Sequence, residues 1–520
     1  MSQKQIWKEY QFIGGILFLL LYWYFGYDGI TFSDDVTYLK FGQSLWSGEK
    51  FPDDSHFGHR WGAFVFSGLL TFLLGFSDKI GSIASLAFVL GTFLLLYAQL
   101  NHKSEKYWFT VFFCTQVYFL HFVNKVYPDP ILAFWICLVP VAATYRSKYP
   151  FLMALTISLA FIIGFSTKEM MVFLIPFPII LFILDWRNGQ NLKYHFYFIT
   201  CAVAVLSIYF SSYYFITGEF FSRLSSVNEG HYISEFTYAD KGISTIAKRL
   251  TYLPLVTFVE RSYWIWLVMA IPGIIKALKT KQMFFLEMAL LLICLFTGFW
   301  FMSSTLEFYN PIYLNPRHLV ILVPVLAVMI SFGFTEWKTY KLWTFALLLL
   351  GALISLAVLD YKMALYLIVF ASVFIFWHNK KLIQLVIPVL LLGPVLMSIY
   401  YQKEKKNYNH FKSTLNNTIL KTDIQKSIII NNFVFFSKKI ILDQNNLSYS
   451  NVKDIQSDVE IVLSQEKGFK LFIYKYYLHA YPEEDQYLQD FRKEIENNGY
   501  TEKVLMEDNW IVISQFSRIN

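Results

Sequence analysis

Long apolar runs separated by short polar segments fill the first 400 residues. A membrane-crossing helix needs about 20 mostly apolar residues. Runs near that length lie at about 11–27, 80–100, 107–124, 130–145, 151–166, 170–184, 194–216, 262–278, 284–303, 318–335, 342–359, 363–377 and 382–400, thirteen in all. A further run, WGAFVFSGLLTFLLGF (61–76), has 16 residues, three of them glycine, and is ambiguous. Residues 401–520 follow another pattern. SIIINNFVFF (427–436), IILDQ (440–444), KLFIYKYYL (470–478) and WIVISQF (510–516) read as strands. Charged helix-like stretches lie at about 451–466 and 484–498. Strands alternating with helices predict a small α/β sheet. The polar stretch 401–418, rich in Asn and Lys, reads as a linker. The expected fold is therefore a polytopic α-helical membrane module, 1–400, with about 13 transmembrane helices, followed by a small soluble α/β domain, 401–520.

The polar segments set an orientation. If 61–76 lies in the interface without crossing, one side of the membrane receives the N-terminus, 101–106, 146–150, 185–193, 279–283, 336–341 and 378–381. Those short segments carry the dense Lys and Arg, as cytoplasmic loops do. The long loops 28–79 and 217–261 and the C-terminal domain then face outward. If 61–76 crosses, the Lys and Arg pairs land outside, so the first arrangement is preferred. The first run lacks a small-residue cleavage site and reads as a retained helix.

Composition agrees. Apolar residues make up 56% of the 520 and charged residues 16%, against about 25% in ordinary soluble domains. The net charge is +7; residues 1–400 hold 28 basic and 21 acidic residues, whereas 401–520 hold 16 of each. An excess confined to the membrane part suits orientation or an anionic ligand better than nucleic acid. All four cysteines (Cys114, Cys137, Cys201, Cys294) lie in apolar runs without metal-site spacing.

Five polar stretches ask for an explanation. Asp34-Asp35 follow the first helix; the pair could serve as a general base, hold a cation or a sugar hydroxyl, or cap VTYLKFGQSLW as a helix. His59-Arg60-Trp61 offers either a phosphate contact or an interfacial anchor. Asp129, between Pro128 and Pro130, is a carboxylate near membrane depth or an ordinary turn aspartate. Lys168-Glu169 could pair with each other, or Lys168 could snorkel or face a phosphate. Arg317, before LVILVP, stands where a helix start favours anions, or anchors at the interface. On the preferred orientation all of these fall on the outer face. A carboxylate cluster beside a basic cluster suits proton removal from an acceptor hydroxyl and neutralisation of a phosphate leaving group.

SDDVTY (33–38) resembles the acidic motif, Asp-Glu followed by Tyr, of the glycosyltransferase C superfamily, as in protein O-mannosyltransferases and aminoarabinose-to-lipid-A transferases. YPDPILAFW (127–135) is similar to their second acidic motif. GFSTKEMMVFLIP (164–176) resembles their Gly-x-x-x-Lys-Gly stretch, and NPRHLVILVP (315–324) their late Arg segment. The four occur in the family's order and cover about residues 10–335. His59-Arg60-Trp61 stands where Lys or His before Pro-Pro is frequent, and Glu169 where glycine is usual.

The resemblance implies an inverting transfer of a sugar from a polyprenyl-phosphate donor to a lipid, glycan or protein acceptor, with no cofactor or bound metal. Asp34 would be the base. Asp35 stands beside it in the motif, and Asp129 would orient acceptor or sugar. Lys168, Arg317 and Arg60 would meet the donor phosphate. Membrane lipids are the expected surroundings, nucleic acid is not an expected partner, and the bacterial inner membrane, with the site facing the periplasm, is the expected location. The other class of function is a transporter or flippase of a lipid-linked sugar, which would place polar residues along a path within the spans. Here the span centres mostly lack charge, Glu287 being the main exception.

Overall fold

The computed structural model describes all residues except 1–8, 50–54, 230–236, 306, 376–379, 443–448 and 519–520. The N-terminal segment, much of 378–381 and the end of the 440–444 run therefore fall outside the described residues. Every one of the thirteen apolar runs is helical over most of its length. Among the described residues seven helices are long and apolar enough to cross a membrane, or nine if each of two sharply bent pairs forms one span. Shorter apolar helices are Tyr10–Phe25, Trp61–Leu74 and Tyr361–Ser372. The protein is an integral membrane protein.

Two departures from simple spans matter for the site. The run at 107–124 is broken into Lys103–Phe113 and Val117–Val123, and the latter meets Pro128–Thr144 at 109°. That bend, enforced where Pro128 opens a helix, brings Asp129 to its N-terminus. The continuous stretch His318–Ala357 has 40 residues. At 1.5 Å rise that is about 60 Å, twice the hydrocarbon thickness, and it contains both runs predicted there.

Trp61–Leu74 has 14 residues, about 21 Å by rise, too short to span without help. It packs along the Asp34–Ser47 helix. The two backbones touch at Gly42 and Gly68, where a Cβ on Gly68 would lie 2.4 Å from the Gly42 carbonyl oxygen.

The C-terminal part contains a five-stranded sheet in the order β2-β1-β3-β5-β4. The strands are β1 (Ile428–Ile430), β2 (Val452–Asp454), β3 (Gly468–Tyr474), β4 (Tyr500–Glu507) and β5 (Ile511–Arg518). β1 pairs in parallel with β2 and β3, whereas β5 pairs antiparallel with β3 and β4. The helices Val459–Gln465 and Glu484–Asn497 cover one face through Val462, Leu463, Phe491 and Ile495. The Tyr408–Leu420 helix covers the other, with Phe411 stacked on Tyr474 at 4.0 Å.

Four expectations need correction here. The stretch 451–466 is helical only over Val459–Gln465, because Val452–Asp454 pairs with β1 as strand β2. The run 427–436 is a strand only to Ile430, and Asn432–Phe436 is helical. Asn431 ends the strand by turning its side chain inward, where its Oδ1 accepts from the Tyr474 amide at 2.6 Å and its Nδ2 donates to Glu484 at 3.1 Å. The 440–444 run is helical as far as it is described, in Lys438–Leu442. The stretch 401–418 is not a free linker: it is helical, and Lys406, Tyr408, Phe411 and Leu415 are buried.

That burial ties the sheet to the first long loop. Lys406 Nζ donates to Asp28 and to the Ile30 carbonyl, each at 3.0 Å. Lys125 pairs with the other Asp28 oxygen. Gly29 has φ +89°, and a Cβ there would lie 2.2 Å from the Tyr408 ring, so glycine serves both the turn and the contact. Phe32 packs among Tyr408, Phe411 and Phe433. The loop carrying the first acidic pair is thus fixed from both sides.

Candidate active site

Asp34 and Asp35 are neighbours with opposite surroundings. Asp35 is 1% exposed. Its carboxylate accepts from the Thr31 amide at 2.6 Å, the Thr31 hydroxyl at 2.7 Å, and the amides of Val36 at 3.0 Å and Ser33 at 3.2 Å. The Thr31 hydroxyl also contacts the Tyr127 hydroxyl at 2.8 Å. Burial, only partly offset by these bonds, holds the Asp35 carboxyl above the usual aspartate range. Its acceptor capacity is taken up by the turn that opens the Asp34–Ser47 helix.

Asp34, the first residue of that helix, faces a cavity of about 310 Å³. Arg60, Lys168, Glu169, Arg317 and His318 also line it. Arg317 Nη1 donates to Asp34 Oδ2 at 2.6 Å. Burial raises the Asp34 carboxyl, but Arg317, helped by Arg60 and Lys168, outweighs this and holds it below its usual range. It is a carboxylate at neutral pH.

Asp129 and Lys168 are 0% and 1% exposed, with Lys168 in the cavity wall and Asp129 behind it. Lys168 Nζ donates to Asp129 Oδ1 at 2.7 Å. Burial draws the Lys168 ammonium down to about 8. Arg317 Nε forms an ion pair with Asp129 Oδ2 at 3.6 Å, too far for a hydrogen bond, and neither atom has a hydrogen-bond partner among the described residues. The Arg317 guanidinium sits over the Tyr127 ring, 5.0 Å from its centroid. The structure thus brings together Asp34, Arg317, Asp129 and Lys168 in a line of alternating charge. Asp35 and Asp129 do not line the cavity; they brace the residues that do.

Arg60 is held by Glu169, with contacts of 2.7 and 3.2 Å, and donates to the Tyr38 hydroxyl at 2.9 Å. Arg223 reaches the same glutamate at 3.3 Å. Glu169 therefore pairs with arginines from two loops, and Lys168 pairs with Asp129 instead of its neighbour. The roles of Glu169, Arg223 and His318 were not legible in the sequence; the only signal was a Glu where a glycine is usual. Among the described residues no group of three His, Cys, Asp or Glu side chains is placed to hold a metal ion.

An apolar passage leaves the charged cavity. A second cavity, about 300 Å³, shares Glu169, Ser304, Ile312 and His318 with it. A third, about 340 Å³, shares Phe165, Val172, Ile175 and Leu224 with the second and continues along Phe161, Phe198 and Leu206.

No family model and no curated protein matches the sequence. Solved structures do match. The crystal structure of ArnT from Cupriavidus metallidurans bound to undecaprenyl phosphate superposes with a TM-score of 0.57 at 12% identity, covering 97% of each chain. The chain shares its fold with ArnT. The apo structure of the same ArnT gives the same TM-score at 13% identity, again over 97% of each chain. ArnT is an aminoarabinose-to-lipid-A transferase of the glycosyltransferase C fold, so the resemblance of fold expected from the four motifs is borne out. The coverage includes the C-terminal sheet, for which the motifs carried no expectation.

Proposed function

We propose that this protein is a membrane glycosyltransferase that moves a sugar from a polyprenyl-phosphate donor to a lipid, glycan or protein acceptor, with inversion. The observation that carries this reading is the charged cavity opening into an apolar passage. A polyprenyl phosphate needs both: cations at its head and a groove for its tail. That the matched ArnT structure holds undecaprenyl phosphate supports the same donor class.

In this reading Asp34 takes the proton of the acceptor hydroxyl. The hydroxyl oxygen attacks the anomeric carbon from the face opposite the phosphate. The bond from that carbon to the phosphate oxygen breaks, and its electron pair leaves with the phosphate. Arg317, Lys168 and Arg60 receive the charge. Arg317 Nη1 serves Asp34 at rest, and a bound phosphate would compete for that donor. When phosphate engages Arg317, Asp34 loses part of the charge that depresses its basicity. Donor binding then prepares the base. Asp129 positions Lys168 and Arg317, and Asp35 fixes the turn that aims Asp34.

We place the active site and residues 401–520 on the periplasmic face of a bacterial inner membrane, from the distribution of Lys and Arg. The test is a transfer assay with purified protein in lipid, given labelled polyprenyl-phosphate sugars and a membrane lipid extract. Label should leave the carrier only with the native chain. Carrier crossing liposomes without acceptor, and no transfer, would favour the flippase.

A further inference from the structure

A cavity of about 550 Å³ lies between the Asp34–Ser47 helix and the carboxyl ends of the parallel strands β1 and β2. Open α/β sheets bind ligands at such strand ends. Lys40, Lys438 and Lys439 line it, and Asp454 is the one acidic residue among its described lining residues. Lys40 donates to the Phe436 carbonyl at 2.7 Å and lies 4.2 Å from the centroid of the Phe436 ring, and an ammonium has three protons to give. Burial, and repulsion from Lys439 and Lys438, hold Lys40 below the usual lysine range. An anion would relieve that repulsion.

Asp454 ends β2 and is 4% exposed. Its Oδ2 accepts from Asn432 at 3.0 Å and Ser457 at 3.1 Å, whereas its buried Oδ1 has no hydrogen-bond partner among the described residues. A buried carboxylate oxygen without a donor is costly, and a ligand hydroxyl would satisfy it. The amides that open the Asn432–Phe436 helix are already taken by Glu484, at 3.3 and 3.1 Å. The positive charge at the cavity therefore comes from side chains.

We propose that this cavity binds an anionic sugar, one bearing a phosphate or carboxylate, whose charge meets Lys40, Lys438 and Lys439 and whose hydroxyl meets Asp454 Oδ1. Lys40 lies six positions after Asp34 on one helix, about 9 Å along its axis. On the transferase reading, on which this assignment of the ligand rests, the sugar is the part of the acceptor that holds the reacting hydroxyl at Asp34.

The experiment is calorimetric titration of the full-length protein in micelles, saturated with undecaprenyl phosphate so that the reaction cavity's cations are occupied. The probes are glucose 6-phosphate, glucuronate, glucose and inorganic phosphate. Both anionic sugars should bind, with glucose and inorganic phosphate weaker by roughly tenfold or more. The K438Q/K439Q double variant should lose about tenfold in affinity for the anionic sugars, while K438R/K439R keeps it. Equal binding by K438Q/K439Q, loss in K438R/K439R as well, inorganic phosphate binding as tightly as glucose 6-phosphate, or no binding of either anionic sugar would each overturn the proposal. Tighter binding of dodecyl glucuronide than of glucuronate supports a lipid-borne sugar, and the reverse a soluble glycan. No transfer is measured, so sugar binding stands or falls separately from the transferase reading.

Discussion

Arg317 donates to Asp34 at 2.6 Å across 283 positions of sequence. The pair joins the start of the first loop's helix to the start of a late membrane helix. It holds an arginine aimed at phosphate and a carboxylate aimed at a hydroxyl within one cavity.

Asp34→Asn removes the proton acceptor while keeping the side chain's shape. Transfer should fall by about 10²–10⁴-fold, the range general base catalysis contributes. Binding of undecaprenyl phosphate should be retained. Single-turnover rates and a separate binding titration would tell the two effects apart.

Asp35→Ala should act differently. It leaves the amides of Thr31, Ser33 and Val36 without their acceptor. Each stranded buried donor costs about 1–3 kcal/mol. Thermal unfolding in detergent should shift further downward for Asp35→Ala than for Asp34→Ala, whose loss leaves Arg317 still beside Asp129. Equal shifts in both variants would remove the distinction drawn between the two aspartates.

Lys168 carries its charge below its shifted value of about 8 and loses it as pH rises through that value. Affinity for the polyprenyl phosphate should therefore decline above pH 8. Lys168→Arg keeps a cation at all accessible pH and should flatten the profile. A native profile flat to pH 10 would speak against Lys168 as a phosphate ligand.

Asp28 bridges Lys406 and Lys125 in a buried triad. Burial raises the Asp28 carboxyl, and Lys125 and Lys406 more than reverse this, so it stays ionised. Asp28→Asn strands two buried ammonium groups and should destabilise the protein by about 3–5 kcal/mol. A carboxyl lowered in the folded state contributes stability above its unfolded value, near 4, and loses it progressively in more acid solution. Acid unfolding should begin at higher pH in the native protein than in a variant that replaces the whole triad with apolar residues.

The apolar runs were legible because hydrocarbon thickness dictates their length, and each is helical. Their breaks were less so. Gln116, which caps Val117–Val123 through the Phe119 amide at 2.6 Å, is an ordinary polar residue in sequence. The run 427–436 illustrates the limit of periodicity: a short apolar stretch fits a strand or a buried helix equally, and Asn431 decides between them through contacts made only in the fold. Asp34, Lys168, Arg317 and Arg60 were visible as residue types on one predicted face. Their partners were not: Glu169 meets Arg60 from 109 positions away, and Asp129 meets Lys168 from 39. No local pattern encodes such pairings. Lys406 and Tyr408 looked like linker residues because their burial depends on a loop nearly 380 positions earlier.

The most direct measurement of the central claim follows label from a polyprenyl-phosphate sugar in proteoliposomes, comparing the native chain with Asp34→Asn and Arg317→Gln. Transfer by the native chain alone, with carrier binding kept in Asp34→Asn and weakened in Arg317→Gln, is the predicted result. Undiminished transfer by Asp34→Asn, or carrier bound equally well by Arg317→Gln, would contradict the roles assigned to this pair.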